Sequence, residues 1–354
     1  MSSSLPKVKR GAVLVGTKQA EIQERPLPEP GAGEAVIKVD YCGMCGSDTH
    51  GWAAGGAVFA LGTMMGHEPV GTVAAVGKGV TRYKEGDRVA INGFKPCGVC
   101  PPCRRSMYNI CVNNMTQTIG NSDKLDGAFA DYIWLPDADL MAVKVPEQLS
   151  QEDAALTEPL ATSFHAVRLS GMQVGDTAAV IGAGPVGLLA IQVLKAAGAG
   201  KIIVSQRPGD RRDLAMEFGA DVAINPRDEK VGVGEQIREV TDGGADVVIE
   251  CAGAPPTFQQ SIEMARPGGL VILVGVNEKE TPVIPMKMML GEVGIKGSLA
   301  WTHQDFEMSV DLLASGRINA QPMISTTVGL DEIQKEGFER LKNDRSLIKL
   351  LVKP

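Results

Sequence analysis

The chain has 354 residues, of which 44% are hydrophobic and 22% are charged, a composition typical of a folded globular protein of about two domains. Its formal net charge of −7 argues against a nucleic-acid partner, because such binding depends on clustered lysines and arginines. The sequence shows neither a secretory leader pattern nor about 18 consecutive apolar residues. We therefore expect a cytoplasmic protein without a membrane partner.

The first part of the chain, up to about residue 157, is rich in Gly, Pro and Asp. These residues interrupt short apolar runs at 35–39, 70–76 and 87–90. Short β-rich runs separated by turn residues are typical of an irregular, mostly β domain. Because no helical period persists here, the sequence predicts such a domain.

From about residue 176 the pattern changes, and strand-like runs alternate with helical windows. The strand-like runs are 178–181, 202–205, 222–224, 246–249, 270–274 and 294–298, and the helical windows are 186–197, 210–218, 235–241 and 257–265. This alternation predicts an α/β domain with a doubly wound, mostly parallel sheet. A helix at 304–315 and a strand at 347–352 follow, and they are free to return to the first domain.

The strongest motif is a cluster of four cysteines, Cys97, Cys100, Cys103 and Cys111, separated by two, two and seven residues. Four thiolates in one short loop complete the tetrahedral shell of a structural zinc ion and leave no position for a substrate. Reduced cysteines or two local disulfides are the alternative interpretation.

A second group of metal-binding residue types lies between residues 45 and 68 and consists of Cys45, Asp48, His50, His67 and Glu68. A thiolate, an imidazole and carboxylate oxygens form a mixed shell that leaves a position open, as catalytic zinc requires. In such a shell Asp48 would orient a zinc-bound imidazole. Cys42 and Cys251 are instead predicted to pack in the interior.

A glycine motif, Gly182, Gly184 and Gly187, follows a strand-like run and begins a helical window. In a dinucleotide-binding turn the first glycine makes the turn, the second lets the backbone approach a pyrophosphate, and the third lets helix and strand pack. Pro185 and Val186 begin the helix, whose positive end binds the pyrophosphate. A purely structural turn is the alternative.

In this order the three motifs resemble the zinc-dependent medium-chain dehydrogenase/reductase family, which includes alcohol and polyol dehydrogenases, over essentially the whole chain. The resemblance implies a partly open, GroES-like β-barrel around a catalytic zinc and a Rossmann domain around the coenzyme. It also implies that the C-terminal segment rejoins the first domain. We therefore expect a catalytic domain of residues 1–157 and 300–354 and a Rossmann domain of residues 158–299.

The resemblance also assigns ligands. It implies that Cys45 and His67 bind the catalytic zinc and that Glu68 is a ligand or an exchangeable carboxylate. The segment 157–160 resembles the Glu-Pro segment of the sorbitol and butanediol dehydrogenase branch. Glu158 is accordingly expected to be a ligand or a partner of zinc-bound water.

The chemistry implied by the family is hydride transfer from a carbinol to a nicotinamide, with zinc as the Lewis acid. By resemblance, Ser47 accepts the alcohol proton and His50 passes it toward solvent. The predicted activity is that of a zinc-dependent, NAD(P)-dependent alcohol dehydrogenase. Its expected substrate is a secondary alcohol or small vicinal diol, and in reverse a ketone.

The substrate prediction depends on aromatic residues. Trp301, with Phe59 and Trp52, is expected to line a pocket for a small alcohol, although core packing is the alternative for each. Sugar polyols rank second, and 3-hydroxy amino acids are a further alternative because their dehydrogenases share both zinc motifs. A zinc-free quinone-reductase-like enzyme would have no use for these motifs. A non-catalytic dinucleotide sensor differs from an enzyme only in turnover.

The coenzyme is predicted from the residues after the second strand of the α/β domain. NAD-binding domains place an acidic residue about 20 positions past the glycine motif, whereas this chain has Gln206 there, preceded by Ser205. Arg207, Arg211 and Arg212 follow, and a guanidinium binds phosphate through paired hydrogen bonds. We therefore expect NADP rather than NAD, unless the last two arginines begin a solvated helix face.

Three further expectations complete the prediction. Two zinc ions are expected per chain, one catalytic and one structural. Val274 and Val276, which follow a later strand-like run, are assigned to the coenzyme site. The family resemblance implies a homo-oligomer, a tetramer or a dimer, and the apolar stretches 270–276 and 283–290 are the expected subunit contact.

Overall fold

The computed structural model of the chain describes residues 5–113, 116–228 and 230–354. Its strands are β1 (Val8–Gly16), β2 (Gln19–Pro26), β3 (Ala35–Met44), β4 (Glu68–Val76), β5 (Arg88–Ile91), β6 (Tyr132–Leu135), β7 (Ala142–Lys144), β8 (Thr177–Ile181), β9 (Lys201–Ser205), β10 (Val222–Ile224), β11 (Ala245–Glu250), β12 (Ala265–Leu273), β13 (Gly294–Gly297), β14 (Ile324–Gly329) and β15 (Lys349–Lys353).

The helices are α1 (Gly46–Ala54), α2 (Pro101–Arg104), α3 (Ala138–Met141), α4 (Gln151–Ala154), α5 (Thr157–Ser170), α6 (Pro185–Ala196), α7 (Asp210–Glu217), α8 (Val233–Val240), α9 (Pro255–Met264), α10 (Pro285–Gly291), α11 (His303–Ala314) and α12 (Arg340–Asn343), and a π-helix spans Ile333–Glu339. None of the helices in the described residues is long and apolar enough to cross a membrane.

The chain divides into two compact units. One consists of the residues up to Glu158 together with Thr302–Pro354, and the other is Pro159–Trp301. The boundaries expected from the sequence were one and two residues earlier, and residues 1–4 of the expected catalytic domain lie outside the described residues. The first boundary falls inside α5, so no turn or linker composition marks it in the sequence.

The first unit contains a seven-stranded sheet in the order β14-β15-β3-β4-β5-β7, with β6 also paired to β3. The hairpin β1–β2 forms a separate two-stranded sheet. The C-terminal strand β15 runs antiparallel to β3, with Leu350 opposite Met44. This register brings the last residues of the chain beside the end of β3, where the mixed group of predicted metal ligands begins.

The second unit is built on a six-stranded sheet in the order β10-β9-β8-β11-β12-β13, and all of its pairs are parallel. The chain extends outward from β8 to β10 and then returns to place β11 on the other side of β8. This is the strand order of a doubly wound sheet, in which ligands bind where the order reverses. The α/β prediction is confirmed.

Two of the three aromatic residues assigned to a substrate pocket belong to the hydrophobic core of the first unit. Trp52 is 2% exposed, stacks on Phe338 with ring centroids 5.5 Å apart, and donates a hydrogen bond from Nε1 to Gln334 Oε1 at 3.1 Å. Phe59 is buried in the same cluster. The pocket prediction is therefore wrong for Trp52 and Phe59, which pack in the core. The sequence did not distinguish the two cases, because a large apolar ring is stabilised by core packing as readily as by a ligand. Trp301 lies in the other unit and is also buried.

Candidate metal and coenzyme sites

The mixed group of predicted ligands is assembled by two antiparallel strands. Cys45 follows β3 directly and precedes α1, and Glu68 is the first residue of β4. Because Gly43 of β3 pairs with Glu68, the two strand ends meet. The donor atoms of Cys45, His67 and Glu68 all lie within 4.8 Å of one another.

Gly43 is required by this arrangement, because the Glu68 side chain passes directly over it. A Cβ at this position would collide with Glu68 Oε2. Any larger residue at position 43 would therefore displace the carboxylate. The sequence alone does not show this requirement for glycine, because Gly43 is one of many glycines in the chain.

Asp48 orients both His67 and the start of α1. Its side chain is fully buried, with Oδ1 3.2 Å from His67 Nδ1 and Oδ2 accepting a hydrogen bond from the Cys45 backbone N–H at 2.9 Å. Burial alone would lower the pKa of His67, but the charge and hydrogen bond of Asp48, with a contribution from Cys45, raise that pKa well above its usual value. Because Asp48 Oδ1 lies beside Nδ1, we infer that in the neutral imidazole Nδ1 carries the hydrogen, which leaves Nε2 as the metal-binding nitrogen.

Two further predicted residues lie beside this nitrogen. Ser47 Oγ is 3.3 Å from His67 Nε2, and Glu158 Oε1 is 4.0 Å from it. Burial and the neighbouring Glu68 carboxylate raise the pKa of Glu158 to about 8. His50 lies three residues after Ser47 on α1 and is exposed to solvent.

The donor set fits a zinc ion. Sulfur, imidazole nitrogen and carboxylate oxygen are its usual ligands, and three protein ligands leave a position open. Glu68 is buried, and its Oε1 has no hydrogen-bond partner among the described residues. An unsatisfied buried carboxylate oxygen is costly, and a bound cation would satisfy it.

The sequence reasoning missed Lys349, which is 1% exposed and forms an ion pair with Glu68 Oε2. Burial alone would lower its pKa, but Glu68 and Cys45 raise that pKa above the usual value. A signal for it does exist, because Lys349 interrupts the apolar run 347–352 in which every other residue is Leu, Ile or Val. A lysine inside a buried strand requires a partner.

The four-cysteine cluster forms in the loop that contains α2. The four sulfurs all lie within 4.8 Å of one another, and those of Cys100 and Cys111 are 3.9 Å apart. Zinc–sulfur bonds of about 2.3 Å in a tetrahedron place sulfurs about 3.8 Å apart, so the spacing fits zinc. All four cysteines are free rather than disulfide-bonded.

The environment of these sulfurs also favours a cation. Backbone N–H groups of Cys103 and Val112 lower the pKa of Cys100 to about 6. Burial, with the neighbouring sulfurs of Cys100 and Cys111, raises the pKa of Cys103 to about 12. A structural zinc ion bound by the four sulfurs would deprotonate all of them.

The glycine motif forms the turn between β8 and α6, as predicted. Gly182 has φ +90°, a conformation that favours glycine. A Cβ at Gly187 would collide with the Gly182 carbonyl oxygen, whereas one at Gly184 would meet nothing within 4 Å. Gly184 precedes α6 and no side chain caps this helix, so its first backbone N–H groups are available for a pyrophosphate.

The residues expected to choose the coenzyme follow β9. Gln206 Oε1 accepts a hydrogen bond from the backbone N–H of Ala183 at 3.0 Å, which ties it to the glycine turn. Ser205 Oγ is buried without a hydrogen-bond partner among the described residues. Arg207 is half-buried just beyond the strand, whereas Arg212 donates from Nη2 to the Ala223 carbonyl at 3.1 Å.

The other residues assigned to the coenzyme lie at different places in the second unit. Arg211 is half-buried in the first turn of α7. Val274 follows β12 and donates its backbone N–H to the Glu250 carbonyl at 2.9 Å, and Val276 is 74% exposed. Pro185 and Val186 begin α6.

Two family models match the chain. The model described as an alcohol dehydrogenase GroES-like domain matches residues 31–147, and the model described as a zinc-binding dehydrogenase matches residues 185–315. The first match contains the four-cysteine cluster and the group of Cys45, His67 and Glu68, and the second begins within the glycine motif, at Pro185.

Proteins similar to this chain include dehydrogenases and a reductase. A protein of Aspergillus clavatus named a probable D-xylulose reductase A is 36% identical over 346 residues, which cover 96% of this chain and 95% of the relative. The crystal structure of 2R,3R-butanediol dehydrogenase from Bacillus subtilis has a TM-score of 0.88 and 32% identity, covering 98% of this chain and 99% of that one. A Sinorhizobium meliloti 1021 structure, described as a zinc-binding dehydrogenase bound to NADP, has a TM-score of 0.87 and 32% identity, covering 99% and 100%.

Proposed function

Because this chain belongs to the zinc-dependent alcohol and polyol dehydrogenase family, we propose that it transfers hydride between a secondary alcohol or small vicinal diol and NADP, and in reverse reduces the ketone. The observation that carries the proposal is the group of Cys45, His67 and Glu68 with Ser47 Oγ 3.3 Å from His67 Nε2. Metal ligands and a proton acceptor thus lie side by side, as alcohol oxidation requires.

The proposal is tested with a panel of alcohols, followed by the absorbance of the reduced coenzyme. The panel contains 2,3-butanediol, other secondary alcohols, xylitol, sorbitol and threonine, each with NADP and with NAD. We expect the highest kcat/KM for a small diol or secondary alcohol. A polyol is the second candidate, since a relative is named a xylulose reductase. If none of the alcohols is oxidised, the chain would be better described as a non-catalytic dinucleotide sensor than as an enzyme.

In this proposal Cys45, His67 and Glu68 would hold a zinc ion, which when bound would supply Lewis acidity to the substrate oxygen. Asp48 keeps Nε2 of His67 directed at the metal position. Ser47 Oγ accepts the hydroxyl proton of the substrate, and His50, which is exposed, passes the proton to solvent. Glu158 is a further ligand or accepts a hydrogen bond from a hydroxyl at the site.

Replacing Ser47 by alanine is expected to lower kcat about 100-fold, the usual scale of a general acid–base contribution. Zinc content should stay unchanged, because the hydroxyl is not one of the proposed ligands. Thr49→Ala is the matched control, since its hydroxyl lies on the same helix but donates to the Gly46 carbonyl. Full activity of Ser47→Ala would mean that the proton leaves by another route.

The coenzyme is proposed to be NADP. Position 206 lacks the carboxylate that would repel a 2′-phosphate, and Gln206 is bonded to the glycine turn. Arg207 follows the end of β9, and we expect it to contact the phosphate. The hydrogen bond from Arg212 to the Ala223 carbonyl gives that arginine a structural role as well. We therefore expect it to contribute less than Arg207 to binding of the phosphate.

Replacing Arg207 by alanine is expected to lower kcat/KM for NADP about 10- to 100-fold, the scale of a lost hydrogen bond to a charged group. The value for NAD should change little, because NAD has no phosphate to bind. Arg227→Ala, an exposed arginine of the same unit, is the control. A wild-type kcat/KM for NAD equal to that for NADP would contradict the coenzyme assignment.

We further propose two zinc ions per chain and a homotetramer in the cytoplasm. The seven free cysteines are in keeping with a reducing compartment. In the sheet of the second unit β13 is an edge strand, and α10 exposes Met286, Met289 and Leu290. An unpaired edge beside an apolar patch is suited to pairing with a second copy of the chain.

Light scattering at micromolar concentration should therefore give a multiple of the 37.3 kDa chain mass. Met289→Asp should shift the protein toward a smaller species, because it places a charge in the proposed contact. Val174→Asp, at another exposed apolar residue of the same unit, should not. A wild-type particle of one chain mass would contradict the oligomer.

A further inference from the structure

Lys349 is buried within the first unit and its position is set by strand pairing. It begins β15, is 1% exposed, and its Nζ lies 3.3 Å from the Met44 carbonyl oxygen. Its other partner is Glu68 Oε2, with which it forms an ion pair. A buried ammonium is stable only with such partners, so Lys349 and Glu68 hold each other in place.

The two oxygens of Glu68 consequently have different surroundings. Oε2 faces Lys349 and passes over Gly43. Neither oxygen has a hydrogen-bond partner among the described residues, so the ion pair with Lys349 is what distinguishes Oε2 from Oε1. Glu68 also belongs to the group formed with Cys45 and His67. One oxygen is thus occupied by a cation of the chain itself, and the other is available to a metal ion.

We propose that Lys349 is a positioning residue that limits Glu68 to one metal-binding oxygen and so keeps a position for the substrate open. This inference rests on the zinc site proposed above. The physical basis is competition, since a carboxylate binds cations through one or both oxygens and the ammonium already holds Oε2. The lysine charge also repels a dication, so the site binds its metal less tightly than the same ligands would without Lys349.

Replacing Lys349 by methionine keeps the length of the side chain and removes its charge. Glu68 Oε2 then loses its partner, and the metal ion becomes the best remaining partner for it. We expect zinc release from this site to a chelator to slow about 10- to 100-fold. Substitutions of residues that contact metal ligands typically change metal affinity by this factor. KM for the alcohol should rise, because the substrate oxygen must displace a second carboxylate oxygen.

The measurement uses the whole protein and follows both zinc sites in one sample. Release from the four-cysteine site should stay at the wild-type rate and serves as the internal control. Cobalt substituted at the exchangeable site gives a second readout, because its visible absorption weakens when the coordination number rises above four. Release as fast as in the wild type, or faster, would overturn the proposal.

Three variants separate positioning from general damage. Lys9→Met removes the other buried lysine, which pairs with Asp126 at 3.1 Å, and should leave zinc release unchanged. Lys349→Arg retains the charge and should release zinc at close to the wild-type rate. In the Glu68→Gln background Lys349→Met should have little further effect, because the interaction acts through the carboxylate.

If Lys349→Met does not fold, as judged by circular dichroism, Lys349→Gln replaces it, since the amide keeps a donor for the Met44 carbonyl but carries no charge. The same slowing of release is expected, and its absence would overturn the proposal. Zinc content and alcohol turnover of the wild type report on the proposed function. The ratio of release rates between variant and wild type reports on Lys349 alone.

Discussion

Cys45→Ser is expected to lower turnover about 1,000-fold or more while the chain stays folded. The thiolate is the only sulfur ligand in the group with His67 and Glu68, and a serine hydroxyl does not replace it for zinc. Loss of the ion removes the Lewis acid, whose contribution to the barrier is several kcal/mol. Cys45 precedes α1, is half-buried and is not among the residues of the hydrophobic core cluster of the first unit, so the thermal unfolding temperature should change little.

The measurement combines steady-state kinetics with elemental analysis. Wild-type protein should contain two zinc ions per chain and Cys45→Ser one, and the remaining ion should resist chelation. Cys251→Ser, which changes a cysteine of the other unit, is the control and should keep both ions. Full turnover of Cys45→Ser, or a wild type with fewer than two ions, would contradict the assignment of this site.

Cys103→Ser is expected to damage stability instead of chemistry. A structural zinc ion contributes its binding free energy to folding, and among the described residues the cysteines themselves form the buried cluster of this loop. We expect the unfolding temperature to fall by about 10 °C or more. Activity per folded molecule should decline much less than in Cys45→Ser.

Calorimetry and zinc analysis of the same samples decide this prediction. Cys103→Ser should lose the slowly released ion and keep the exchangeable one, the reverse of the pattern for Cys45→Ser. Cys251→Ser should unfold close to the wild-type temperature, since its sulfur belongs to neither of the two metal-ligand groups found among the described residues. A Cys103→Ser protein that is as stable as the wild type would show that the cluster is not a structural site.

Features that depend on residues close in the chain could be predicted from the sequence. The spacing of Cys97 to Cys111 places four sulfurs in one loop, because a short chain with Gly98, Pro101 and Pro102 cannot separate them widely. The alternation of apolar runs indicated the parallel sheet of the second unit, and the glycine motif lies between β8 and α6. In each case the physical cause is local, since backbone conformation and period follow from neighbouring residues.

Features that depend on pairing between distant residues became apparent only in the folded chain. Lys349 lies 305 residues after Met44, and no local pattern indicates that β15 joins β3 in a register that brings its ammonium to Glu68. Trp52 and Phe59 were assigned to a pocket although they lie in the core, because aromatic residues occur in both places and the sequence does not distinguish them. Which chemical groups are present, and which local elements carry them, could thus be inferred from the order of the residues. Which of these groups lie close together depends on strand register and burial. Register and burial in turn depend on long-range contacts, whose free energy is gained only in the folded chain.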